Sequence, residues 1–189
     1  MRRLIVSMNI TIDGFMAEPD GGLDWQVQNW TADMGQILSE QLSDADTLLL
    51  GRNTYSAMAS YWSAVSAGFC DIPREDLFYA EMINKCRKVV CSTTLDTLVW
   101  NNSQLIKKNI RQEILKLKQQ PGKTILVYGS HKLVQHLIKL NLIDEYVLWI
   151  YPVSIGRGIS LFNNKQKLKL ILSHPLPSGV VISRYCNQP

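Results

Sequence analysis

Residues 124–140, TILVYGSHKLVQHLIKL, contain the change of period that decides the fold class. Ile125, Leu126, Val127 and Tyr128 run without a charge, as in a strand covered on both faces of an α/β sheet. Gly129 and Ser130 interrupt the run. Leu133, Leu137 and Leu140, with Val134 and Ile138 beside them, then recur at helical spacing, so the spacing predicts strand, tight turn, helix. Unpaired amides at a helix start attract an anion, and a small-residue turn lets it approach the backbone. A Gly-Ser pair alone is no phosphate fingerprint, so the junction is either a plain turn or one part of a phosphate site.

Two further junctions share that chemistry. Thr47, Leu48, Leu49 and Leu50 read as a buried strand, Gly51-Arg52-Asn53-Thr54 as the turn out of it, and Tyr55, Met58, Ala59 and Trp62 as one helix face. Glycine permits close backbone approach, an Arg fork matches phosphate oxygens, and Asn and Thr cap or donate near a helix start. The same residues also make an ordinary capped helix beside a surface arginine. Residues 87–91, RKVVC, read as a strand ending in Ser92-Thr93-Thr94, three hydroxyls placed for a phosphate or for a polar turn.

The chain opens with a buried strand over residues 4–10 and a Thr11-Ile12-Asp13-Gly14 turn. Residues 15–30 read as one irregular stretch holding Trp25 and Trp30, either a lid or pocket wall or a loop pinned by its tryptophans. Thr31 is placed to cap a helix whose apolar stripe is Met34, Ile37, Leu38 and Leu42. Asp33, in its first turn, either complements the helix dipole or holds a polar heterocycle and assists its protonation. Residues 63–84 are weakly periodic with a helix near 75–83, and residues 98–100 read as a short strand. Asn109 and Gln112 resemble a capping pair opening a helix (Ile110, Ile114, Leu117) that Pro121-Gly122 stops. The helix after Ser130 ends near Asn141, residues 146–151 form a strand closed by Pro152, and Gly156-Arg157-Gly158 is a loop. Residues 168–186 fold as an antiparallel hairpin at a sheet edge.

With 189 residues, 46% hydrophobic and 19% charged, the composition fits one globular domain spanning 1–189 and argues against disorder. No apolar run approaches the ~20 residues of a membrane span. Asn9 and Asp13 interrupt the N-terminus before a signal-peptide core develops, so a cytoplasmic protein with no membrane partner is expected. Cys70, Cys86, Cys91 and Cys186 lack metal-ligand spacing and read as small buried or partly buried thiols. His131, His136 and His174 are scattered, so no metal is expected. A net charge of +4 mildly favours anionic partners. The loose basic faces, Lys107, Lys108, Arg111, Lys116 and Lys118 and then Lys165, Lys167 and Lys169, read as solvated rather than as a nucleic-acid surface. The apolar C-terminal half and its edge hairpin favour a homodimer.

In an open α/β sheet, the strand ends at Gly51, Ser92 and Gly129 would jointly grip one phosphate-rich molecule, most economically a dinucleotide, with the aromatic loop walling its reactive end. The ordered set TIDG, LLLGRNTY, VVCSTT, VYGSHKL and IDEYVLWIYPVSIGRGISLF resembles the dihydrofolate reductase superfamily over nearly the whole chain. Within it the chain is most similar to stand-alone proteins like the riboflavin-biosynthesis reductase (RibD C-terminal) domain. The resemblance implies an α/β, dihydrofolate reductase-like fold with a mostly parallel central sheet flanked by helices. It also implies an oxidoreductase using NADPH, with hydride delivered to a pteridine-like or ribosylamino-pyrimidine small molecule. By the same resemblance Gly51, Arg52, Asn53 and Thr54, with Ser92 and Thr93, would hold the adenosine end and its 2′-phosphate. Gly129, Ser130, His131 and Lys132 would lie along the pyrophosphate, and Asn9 with the Met16 and Ala17 backbone would approach the nicotinamide. Trp25, Asp33 and Tyr151 would contact substrate, with Asp33 as the catalytic residue. A different class stays open beside the enzyme: a non-catalytic dinucleotide-binding sensor.

Overall fold

The apolar runs converge on one sheet. In the computed structural model, which describes residues 1–27, 31–68 and 74–188, the chain begins β1 (Leu4–Thr11), β2 (Phe15–Ala17), α1 (Asp24–Val27), α2 (Ala32–Ser43), β3 (Ala45–Gly51), α3 (Arg52–Ser66) and α4 (Arg74–Lys85). It continues β4 (Arg87–Cys91), β5 (Ser103–Ile106), α5 (Ile110–Gln119), β6 (Thr124–Tyr128), α6 (His131–Lys139), β7 (Glu145–Tyr151), β8 (Ile159–Ser160), β9 (Leu168–Pro175) and β10 (Val181–Asn187). The main sheet has the order β5-β4-β3-β6-β1-β7-β10-β9. Its first six strands are parallel, and β10 and β9 add the antiparallel hairpin at one edge. This is the expected architecture.

Alternation along the strands sends Leu4, Val6, Met8 and Ile10 to one face, where they pack with Ile114 and Leu117 of α5 and Leu133, Val134 and Leu137 of α6. Ile5, Leu48, Leu50, Leu126, Val147 and Trp149 occupy the other face with Met34 of α2, Tyr55 and Ala59 of α3 and Ile83 of α4. A sheet clothed on both faces needs strands with almost no polar residues, which is why residues 48–50 and 125–127 are so plainly apolar. No helix among the described residues is long and apolar enough to cross a membrane.

The connections from β1 to β3 and from β3 to β4 step toward one edge of the sheet, whereas those from β5 to β6 and from β6 to β7 step back. Strand β6 enters between β3 and β1, so the carboxyl ends of β4, β3, β6 and β1 stand side by side where the stepping reverses. Ligands of open α/β sheets bind at such a reversal.

Several local expectations are corrected. Residues 98–100 form no strand; the edge strand is β5, Ser103–Ile106. Trp100 is instead drawn into the core, its backbone N–H donating to Tyr55 Oη at 2.9 Å and its ring lying 4.3 Å beneath Lys88 Nζ, and Asn102 (φ 58°) turns the chain into β5 afterwards. Residues 15–30 are not wholly irregular, because Phe15–Ala17 pairs with β8 and Asp24–Val27 is a short helix. Trp30 and Cys70 lie outside the described residues. Thr31 and Asn109 occupy N-cap positions but neither caps through its side chain, Asn109 because it sits in the left-handed region (φ 55°). Lys118 is not on a solvated face: it is buried, and its Nζ donates to Asp144 Oδ2 at 2.6 Å and Leu142 O at 3.2 Å.

Candidate active site

The turns after β3 and β6 are locked together. Gly51 N–H donates to Ser130 Oγ at 2.8 Å, and Ser130 Oγ donates to Tyr128 O at 3.3 Å. Gly129 (φ 53°) and Ser130 (φ 63°) are consecutive left-handed residues, which reverses the chain tightly enough to start α6 at once. A Cβ on Gly51 would meet Ser130 Cβ and Oγ at 3.2 Å, and one on Gly129 would meet Thr54 Oγ1 and Cγ2 at 3.2 Å. Neither α3 nor α6 has a side-chain cap, so their first-turn amides remain available to an anion.

The end of β4 joins them through Arg52, whose Nη1 donates to Thr94 Oγ1 at 2.8 Å while its Nε donates to Asn53 Oδ1 at 3.2 Å. Gly51, Arg52, Asn53, Thr54, Ser92, Thr93, Ser130, His131 and Lys132 line one cavity of about 500 Å³. Gly129 supports it from behind, against Thr54. Burial and the neighbouring Lys132 ammonium lower the pKa of His131, so this imidazole is held toward its neutral form.

Asn9, Met16, Ala17, Trp25, Asp33 and Tyr151 are not in that cavity wall. Asn9 lies in β1, Met16 and Ala17 in the β2 that follows it, and Tyr151, with Trp25 against it, in β7, whereas Asp33 belongs to α2. Asn9 Nδ2 donates to Gln26 Oε1 at 2.9 Å. Trp25 meets Tyr151 edge to face, with ring centroids 5.1 Å apart. Both rings belong to the apolar cluster on that face, yet Trp25 Nε1, Tyr151 Oη and Thr31 Oγ1 are buried with no hydrogen-bond partner. Burial pushes the Tyr151 phenol up to about 12, which keeps it a neutral hydroxyl. Asp33 is half-buried in the first turn of α2. Met16 and Ala17 are buried in β2, where the Ala17 carbonyl lies against Gly158 so closely that a side chain at 158 would strike it.

Thr94, the third of the hydroxyls after β4, lines the cavity with Ser92 and Thr93, and so do Lys107 and His136, neither of which stood out in the sequence as a site residue. Lys107 directly follows β5, so placing that edge strand at 103–106 rather than 98–100 would have brought it to the rim. Among the described residues no group of three or more His, Cys, Asp or Glu is arranged to hold a metal ion.

Residues 2–182, from the first strand into the last, match the pattern of the RibD C-terminal domain. The chain belongs to the RibD C-terminal domain family. It is 33% identical over 183 residues to YyaP of Bacillus subtilis (strain 168), a protein described as uncharacterized, covering 95% of this chain and 92% of that one. Its fold is similar to that of a candidate riboflavin biosynthesis protein from Shewanella sp. PV-4, with a TM-score of 0.71 and 23% identity over 99% of each chain. It is similar too to the dihydrofolate reductase of Enterococcus faecalis complexed with NADP(H), with a TM-score of 0.63 and 14% identity over 99% of this chain and 97% of that one. At such identities the likeness is one of fold. This RibD C-terminal domain has a dihydrofolate reductase-like fold, which it shares with reductases.

Proposed function

We propose that this protein is an NADPH-dependent reductase that delivers a hydride to a pteridine-like or ribosylamino-pyrimidine small molecule, working as one domain over residues 1–189 and as a homodimer. The observation that carries the reading is the convergence of three strand ends on one cavity whose donors suit phosphate oxygens. Its volume, about 500 Å³, falls among ordinary ligand pockets.

Arg52, oriented by Thr94 and Asn53, would hold the 2′-phosphate, with Lys132 adding positive charge at the same rim and Lys107 beside it, its ammonium paired with Asp96 at 2.6 Å. The first turns of α3 and α6 and the hydroxyls of Ser92 and Thr93 would bind the remaining phosphate oxygens. Asn9, its amide nitrogen committed to Gln26, keeps Oδ1 as an acceptor for a carboxamide. The unpartnered Trp25 N–H and Tyr151 hydroxyl would orient the substrate ring, and Asp33 would hold a proton near it, favouring the protonated substrate. Bound there, NADPH supplies the hydride. The protein contributes orientation and exclusion of water. The homodimer reading is supported by β9, an edge strand with Leu170, Ile171 and Leu172 about half exposed.

Titration of the purified protein with NADPH, followed by cofactor oxidation over a panel of pterins and ribosylamino-pyrimidines, tests the reading. One-to-one binding with oxidation by at least one compound is expected. Binding without oxidation across the panel would favour a dinucleotide sensor, and absence of binding would refute both.

A further inference from the structure

We propose that Asp13 is a positioning residue whose carboxylate clamps the turn after β1 to the loop between β7 and β8, and so sets the wall that β2 presents to the nicotinamide end of the site. The inference rests on the cofactor reading above and adds a residue which that reading does not use.

Asp13 is exposed, yet both of its oxygens are engaged from two directions. Thr11 Oγ1 donates to Oδ1 at 2.5 Å, Ser154 Oγ to Oδ2 at 2.7 Å and Gly156 N–H to Oδ2 at 2.8 Å, with Ile155 N–H farther away at 3.5 Å. The bond to Ser154 spans 141 positions of sequence. Thr11 Oγ1 also accepts the Phe15 N–H at 3.0 Å, so the carboxylate is linked through one hydroxyl to the first residue of β2. Backbone bonds flank the clamp, Ile12 N–H to Val153 O at 2.9 Å and Leu161 N–H to Gly14 O at 3.2 Å. Between these anchors β8 pairs with β2, and Gly158 rests on the Ala17 carbonyl. Strand β2 is three residues long, belongs with β8 to a small separate sheet, and cannot fix its own position after β1. The loop closed over it does so, and a carboxylate is the one short side chain that accepts from all these donors together. The Thr11 hydroxyl above all, with Ser154 and the Gly156 amide, holds the Asp13 carboxyl well below the usual carboxylate range, so the clamp stays charged at neutral pH.

The test uses the full chain and the variants Asp13→Asn and Asp13→Ala, with Ser154→Ala, which removes one donor from the far side, as a milder version should either fold poorly. In the unliganded protein, amide hydrogen exchange in β2 and β8 is expected to rise roughly tenfold, with β6 amides unchanged as the internal reference. NADPH affinity is expected to fall roughly fivefold, whereas that of 2′,5′-ADP, which ends before the nicotinamide, stays within about twofold. Exchange in β2 and β8 that does not move would overturn the clamp. Equal weakening of both nucleotides, or of neither, would overturn its role at the nicotinamide end. A wild-type protein that binds neither nucleotide would instead defeat the cofactor reading and the positioning role with it, while exchange in the unliganded protein still decides whether the clamp exists.

Discussion

In the proposed cofactor site Arg52 would concentrate the recognition chemistry of the rim, because Thr94 and Asn53 already fix its guanidinium. A charge-assisted hydrogen bond contributes ~1.5–3 kcal/mol, so Arg52→Ala is expected to weaken NADPH binding by roughly 10- to 100-fold and NADH binding far less, as fluorescence titration would read. Lys at this position restores only part of the difference, since it offers a point charge in place of a fork. Asp33→Asn is expected to lower kcat by about 10²- to 10⁴-fold while leaving NADPH affinity intact, measured by steady-state kinetics across pH. Turnover unchanged by that substitution would remove Asp33 from the mechanism. Lys88 belongs to stability instead. It is buried over the Trp100 ring, donates to Asn84 O at 2.6 Å and Asn101 O at 3.1 Å, and burial lowers its pKa from 10.5 to about 8. Between these two values the folded protein has shed a proton that the unfolded chain still holds, so this residue adds stability as pH rises. The Cys86 thiol, pushed up from 9.0 to about 11 by burial, acts in the opposite sense over an overlapping range. Urea melts of wild type and Lys88→Met isolate the lysine: the difference between them is expected to shift in favour of wild type from about pH 8 upward.

Among the elements, the β6–α6 junction has the least room for change. Gly129→Ala places a Cβ in a left-handed residue and against Thr54, and is expected to cost ~1–2 kcal/mol in urea unfolding and to weaken NADPH. This junction was readable in the sequence because its signal is local: an uncharged apolar run, two small residues, then helical spacing. The buried parallel strands were readable for a related reason, since a segment covered on both faces can carry almost no polar residue. What stayed hidden depends on distant partners. Strand β2 exists only because Ile159 and Ser160 come to lie beside it, and nothing in Phe15-Met16-Ala17 announces that pairing. Lys118 looked like surface charge because its partner, Asp144, lies 26 residues away. Asp13 read as turn chemistry, and its role as a clamp required donors from Ser154 and Gly156. The contents of the rim were visible in GRNT, STT and GSHK, and their convergence, expected from where open α/β sheets bind ligands, is realised by the strand order.

For the molecule as a whole, the proposed homodimer is argued from the edge formed by β9. Leu170, Ile171 and Leu172 are 50%, 51% and 50% exposed on a strand with one unpaired side, a combination that proteins ordinarily blunt with charge or cover. Leu170→Asp combined with Leu172→Asp is expected to convert the proposed homodimer to monomer, read by light scattering after size exclusion, with NADPH affinity retained because the rim lies at the opposite side of the sheet. A wild type that is already monomeric would end that proposal. The place of β6 has a different kind of consequence. Among the described residues β1 pairs with β6 and β7 alone, so the first strand made has no neighbour there until residue 124 leaves the ribosome. Until then the nascent polypeptide carries an unmatched apolar ribbon, and biosynthesis of this protein should depend on chaperones that shield such ribbons during translation.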